Sequence, residues 1–168
     1  KYKQDFSQIM RSINETEVQV KQEDFVPTVS MLLGNPIPFS NLGQIISDMY
    51  PVGSYPQHET CPDSSFEIQM LRDNFVNNLQ IWKYFVENQR VYNLIQRERY
   101  NEAMNFLNEI RYDYTNIQEA LKNPQKCPEI HRMVMATIQK CQLFSSQVFK
   151  LTRNAGTWND PVTLLGIG

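Results

Sequence analysis

The sequence predicts an all-α fold: an antiparallel helical bundle of three long helices, preceded by one or two short helices and a proline-rich extended N-terminal arm. Three observations predict it. Apolar residues recur at three- and four-residue spacing through most of residues 64–153. Prolines punctuate residues 27–62, where Pro27, Pro36, Pro38, Pro51, Pro56 and Pro62 alternate with Gly34, Gly43 and Gly53. The connection at 123–128 is so short that the helices on either side of it must run antiparallel. The chain therefore divides into an N-terminal helix and arm over 1–63, a bundle over 64–153 and an apolar tail over 154–168.

In chain order, the first element is a short helix over residues 2–15. Tyr2, Phe6, Ile9, Met10 and Ile13 form one apolar stripe there. So short a helix needs a surface to pack on. Residues 16–63 read as mostly extended or turning chain, because proline disfavours helix at the residue before it. One short helix interrupts this run at 40–50. Ser40 caps it, Leu42, Ile45, Ile46 and Met49 share a face, and Pro51 ends it.

The first long helix starts at Ser64, where Ser64 and Glu67 have capping-box spacing. Its apolar face is Leu71, Phe75, Leu79, Trp82 and Val86, with Phe85 beside it, and it runs to about residue 88, with a short continuation or separate helical turn over 90–97. The second runs from about Tyr100 to Lys122 on Met104, Leu107, Ile110, Tyr114, Ile117 and Leu121, and Asn123-Pro124 stops it. The third runs from about Glu129 to Arg153 on Ile130, Val134, Ile138, Cys141, Ser145 and Val148. Glu129 in its first turn and Lys150 and Arg153 in its last suit the helix dipole. Each long helix spans about 35 Å at 1.5 Å per residue. The tail carries Trp158, Val162, Leu164, Leu165 and Ile167, which either pack back on the bundle or mimic a partner segment.

The 168 residues suffice for one self-sufficient core. Net charge is −2 and the pI about 5.7, so no strong field draws the chain to nucleic acid or anionic lipid. Lys83, Arg90 and Arg97 are seven apart with Tyr84, Tyr92 and Tyr100 interleaved, but Glu87, Glu98, Glu102 and Glu109 cancel the stripe. No apolar run approaches the length of a membrane span. The chain starts at Lys1 with no signal-peptide layout, and the expectation is an internal domain of a longer intracellular protein.

Residues suited to chemistry are few. His58 and His131 lack the spacing of a metal site, and no phosphate-binding glycine loop exists. The three cysteines, Cys61, Cys127 and Cys141, form no CxxC and read as reduced thiols. Asn14-Glu15-Thr16 is a glycosylation sequon, relevant only to a secreted chain. The expectation is a domain with no catalytic residue, metal or cofactor, whose surface is its product.

Two short patterns in the arm point to partners. Val20-Lys21-Gln22-Glu23 resembles the SUMO acceptor consensus, which implies Lys21 as a modification site held on accessible, extended chain. Pro27-Thr28-Val29-Ser30-Met31 resembles the PxVxL pentamer that binds chromoshadow domains of heterochromatin proteins. That resemblance implies a strand whose alternate residues, Pro27, Val29 and Met31, fill partner pockets, with Met31 departing from the usual Leu. Together these resemblances imply a nuclear, chromatin-associated interaction domain. The rival readings are a helical segment of a cytoplasmic scaffold or membrane-trafficking tether, and a secreted cytokine-like bundle.

Overall fold

The last helix is the element around which the others assemble. The computed structural model describes residues 20–50, 65–92, 97–122 and 127–156. Within them lie four α-helices, α1 (Gln22–Leu32), α2 (Ser65–Tyr92), α3 (Arg97–Ala120) and α4 (Cys127–Gly156), and one 3₁₀ turn, Ser47–Met49. There is no strand among the described residues. Helix α4 packs along both α2 and α3, whereas α2 and α3 touch each other far less. The expected helix at 2–15, residues 51–63 and the tail from 157 onward lie outside the described residues.

The two core clusters give the helix directions. At one end Met70 and Leu71 of α2 meet Ile117 of α3 and Ile130, Val134 and Ile138 of α4. At the other, Ile81 and Phe85 meet Ala103, Leu107 and Ile110, and Cys141, Phe144 and Val148. Helices α2 and α4 therefore run parallel, with α3 antiparallel to both, as in an up-down-up bundle. The first cluster is largely aliphatic. The second is aromatic: Trp82 lies 5.4, 5.3 and 6.4 Å from the rings of Phe85, Tyr100 and Phe144, and Phe106 meets Phe144 edge-on at 6.1 Å.

The face predicted for α4 is the buried one throughout, joined by Thr137 and Phe144. On α3, Leu107, Ile110 and Ile117 are buried as expected, Ala103 joins them, and Met104 is exposed. Helix α3 begins at Arg97, earlier than the apolar pattern suggests, because Arg97, Glu98 and Arg99 form an exposed first turn. On α2 the expected stripe is rotated. Leu71 is buried, but the rest of the fully buried row is Met70, Asp73, Asn74, Asn77, Asn78, Ile81 and Phe85, while Phe75, Leu79, Trp82 and Val86 are half-buried. Glu67 does not serve only as a helix-start residue, since it pairs with His131 Nδ1 of α4 at 2.8 Å.

The described part of the arm departs from the expected extended chain. Residues 22–32 are helical, with Pro27 inside the helix. An internal proline removes one backbone hydrogen bond and leaves the carbonyl four residues earlier without its usual partner. Here that carbonyl is Glu23 O, and Asn41 Nδ2 donates to it at 3.2 Å. The start of α1 is held by Asp24, whose Oδ2 accepts the Lys21 N–H at 3.2 Å. Its end is a Schellman motif: the Gly34 and Asn35 N–H groups donate to Met31 O and Ser30 O at 3.1 and 2.8 Å. Gly34 takes φ +69°, which suits a glycine.

The expected helix at 40–50 is likewise not formed. Only Ser47–Met49 turns, as one 3₁₀ turn, and residues 41–46 form an irregular strap across the seam between α2 and α4. Its backbone bonds go to side chains instead of to a helix of its own. The Gly43 N–H donates to Asn41 Oδ1, the Gln44 N–H to Asp24 Oδ1 and the Ile46 N–H to Thr28 Oγ1, at 2.9, 2.7 and 2.9 Å. Asn77 Nδ2 donates to Gly43 O at 2.9 Å, and Gln44 Nε2 to Gln142 O at 3.2 Å. A Cβ on Gly43 would lie 2.1 Å from Glu23 O, so a glycine is required where strap and α1 cross.

Candidate functional site

Helix α1 lies on the strap as an outer layer, and its sequence is apolar on both sides. Thr28 and Pro27 are buried and Met31 packs against the aliphatic cluster. On the opposite side Phe25, Val26, Val29, Leu32 and Leu33 form one outward face, with exposure running from 39% at Val29 to 68% at Leu33. At 100° per residue these five span about a third of the helix circumference. A helix apolar all round is normally buried all round. A continuous apolar row on a helix edge is also the usual form of a docking face.

The inner side of α1 is fixed by polar contacts. Thr28 Oγ1 donates to Asp24 O at 2.7 Å while accepting the Ile46 N–H, so both hydroxyl capacities are used. Asp24 accepts the Lys21 and Gln44 N–H groups with its two carboxylate oxygens and the Thr28 hydroxyl with its carbonyl. Below the strap, Asn78 Nδ2 donates to Cys141 O at 3.1 Å, and Ser145 Oγ donates to Asn78 Oδ1 at 2.6 Å. Tyr50, at the far end of the strap, donates to Asp73 Oδ2 at 2.6 Å, and Gln69 Nε2 donates to Oδ1 at 2.7 Å. Burial raises the Asp73 carboxyl above its ordinary range, opposed by these two hydrogen bonds and by Arg72. Burial and the neighbouring carboxylate raise the Tyr50 hydroxyl. Alpha-helix one is therefore held rigidly from below and left open above.

The residues singled out in the arm are separated by this helix. A strand would set Pro27, Val29 and Met31 on one side. In α1, Pro27 and Met31 lie four apart and face the bundle, and Val29 faces outward. Lys21 is the last extended residue before α1, with an exposed side chain 3.8 Å from Glu23 and 4.5 Å over the Phe149 ring of α4. The sequence patterns missed Asp24, Thr28, Asn41, Gly43, Asn77 and Asn78, which position α1. The one available signal was the cluster of Asn at 74, 77 and 78 on an otherwise apolar face.

Among the described residues, side chains suited to chemistry are not gathered elsewhere. Burial and the Asp113 charge push the Cys141 thiol up to about 12, so it stays protonated at neutral pH. His131 is exposed and paired with Glu67. A shallow, open depression lined by Asn105, Asn108, Glu109, Tyr112, Asp113 and Lys140 contains one ion pair, Lys140 to Asp113 at 2.5 Å. Among the described residues no three His, Cys, Asp or Glu side chains are placed to hold a metal ion, and no helix is long and apolar enough to cross a membrane.

No known family profile, no curated protein and no solved structure matches the chain.

Proposed function

We propose that this chain is a non-enzymatic protein–protein interaction domain that docks a partner on the outer face of α1. The observation that carries the reading is the row Phe25, Val26, Val29, Leu32 and Leu33, exposed on a helix whose other side is pinned to the bundle. A preformed face loses little entropy on binding. Glu23 and Asp24 sit at its N-terminal edge, and α1 has no basic residue in its last turn. The complementary partner is an amphipathic helix with an apolar stripe flanked by Lys or Arg.

A photoreactive benzoylphenylalanine in place of Leu32 tests this in cells. The expected product joins α1 to a partner peptide with apolar residues at three- and four-residue spacing and basic flanks, and Val29→Glu abolishes it. Cross-links scattered over unrelated peptides, insensitive to Val29→Glu, remove the reading.

The exposure of both Val29 and Lys21 favours a second reading. In it α1 unwinds, Pro27, Val29 and Met31 pair as a strand with a chromoshadow-type partner, and Lys21 is modified in the nucleus. Titration with a chromoshadow domain then shows saturable binding that Val29→Glu eliminates, with loss of helical signal. No binding, or binding that Val29→Glu leaves unchanged, rules it out.

A further inference from the structure

We propose that residues 35–38 present a fixed polyproline II ligand to the aromatic-lined groove of a partner protein, with Phe39 and Lys83 at the edge of the contact. This surface is separate from the outer face of α1 and does not depend on it.

Covalent and steric limits set the conformation of the segment. Pro36 and Pro38 hold their own φ at about −65°. Asn35 and Ile37 each precede a proline, which moves them out of the helical region and into extended or polyproline II backbone. Both peptide bonds into these prolines are trans. Consecutive residues from Asn35 to Pro38 are thus confined to one kind of backbone before any tertiary contact is made.

The fold then fastens both ends of the stretch. At its start the Asn35 N–H donates to Ser30 O at 2.8 Å, in the motif that ends α1. At its end Pro38 O accepts the Asn41 N–H at 3.0 Å and Gln80 Nε2 at 3.3 Å, and Gln80 Nε2 also donates to Phe39 O. Between these anchors the carbonyls of Asn35, Pro36 and Ile37 have no hydrogen-bond partner among the described residues.

The prolines face outward. A polyproline II helix has three residues per turn, so successive side chains point about 120° apart. Ile37 is half-buried, which leaves Pro36 and Pro38 on the two outer edges, and both are exposed. Phe39, next along the chain, is 48% exposed. Its ring is held in place: it meets Tyr84 edge-on at 5.5 Å, and Lys83 Nζ lies 5.9 Å from its centroid.

A groove of neighbouring aromatic rings reads these features. Proline rings slot between the aromatic side chains, and Trp or Tyr donors of the groove reach the free carbonyls. A ligand already held in its bound conformation loses little entropy on docking. Lys83 is exposed and has no carboxylate partner among the described residues. The complementary groove therefore carries Asp or Glu at one end, which fixes the orientation of the ligand.

The test immobilises purified SH3 and WW domains, modules with grooves of this kind, and titrates the full chain over them. The expected result is saturable binding to at least one domain, displaced by free oligoproline. Pro36→Ala/Pro38→Ala weakens it about tenfold or more, with circular dichroism and melting of the bundle unchanged. Lys83→Glu weakens it about threefold. Val29→Glu, on the α1 face, leaves it intact. Should the double variant lose its fold, Lys83→Glu and the oligoproline competition decide the matter. No binding by either class of domain overturns the proposal. So does binding that oligoproline fails to displace, or that the proline double variant or Lys83→Glu leaves unchanged. Loss of binding in Val29→Glu also overturns it, by moving the contact to α1. The α1 reading fails separately, on the cross-link from position 32.

Discussion

The two seams along α4 are built on different physics. The seam with α3 is apolar and periodic: Leu107, Ile110 and Ile117 meet Ile130, Val134, Cys141 and Phe144. The seam with α2 is crossed by the strap and rich in buried amides and hydroxyls, with Asn77, Asn78 and Ser145 each at most a few per cent exposed. The Asn77 and Asn78 Nδ2 groups, Asn78 Oδ1 and the Ser145 hydroxyl are hydrogen-bonded, to one another or to backbone carbonyls of the strap and of α4, which offsets most of the burial cost, while Asn77 Oδ1 is buried without a partner. The first seam depends on shape and area. The second depends on hydrogen bonds, and it fixes the position of the exposed apolar face of α1.

The contrast can be broken most severely on the apolar side. Phe144→Ala removes a fully buried ring that packs with Trp82 and Phe106. Its expected cost is about 3–5 kcal/mol in urea unfolding, with every helix lost together. On the strap side, Gly43→Ala drives a methyl into Glu23 O and costs about 2–3 kcal/mol, a large overpacking penalty. Unlike Phe144→Ala, it should release α1 first, seen as proteolysis near residues 22–34 while α2–α4 stay protected.

Thr28→Val keeps the shape but leaves the buried Ile46 N–H without its acceptor, for a loss of about 1–3 kcal/mol. A cost within error of zero would mean that the strap, not α1, positions itself. The smallest effect is a matter of pH. The folded pKa of Asp73 is raised above its unfolded value near 3.9. Its contribution is therefore fully present below that unfolded value and is lost as pH rises through the raised value. Asp73→Asn removes this titration. Thermal melts from pH 3 to 7 should show the variant gaining on the parent chain as pH rises, and a constant difference would exclude a raised Asp73.

The apolar seam was legible in the sequence and the polar one was not. Every residue read onto the buried face of α4 is there, because period 3.6 reports any helix buried by oily contacts. The stripe read on α2 was set off by about one position, since its buried row includes Asp73, Asn74, Asn77 and Asn78, which a hydropathy pattern assigns to solvent. Pro27 hid α1. Its cost is offset by Asn41, a residue 18 positions from Glu23, and no local rule sees such a distant partner. The short helix expected at 40–50 failed for the same reason: its Leu42, Ile45 and Ile46 pattern is real, but its backbone groups bond outside the segment. The candidate surface was legible only as an apolar sequence. Which side of it faces outward was decided by tertiary contacts.

Because α4 is the wall that α2 and α3 share, the order of synthesis constrains how this domain can mature. A ribosome makes α1, the strap, α2 and α3 before α4, and none of these completes either core cluster without it. At about 5–20 residues per second, the apolar faces of α2 and α3 wait several seconds for α4 to emerge. The contact between Gln44 and Gln142, 98 residues apart, closes only then. A nascent chain halted before residue 127 thus lacks the wall against which both core clusters close.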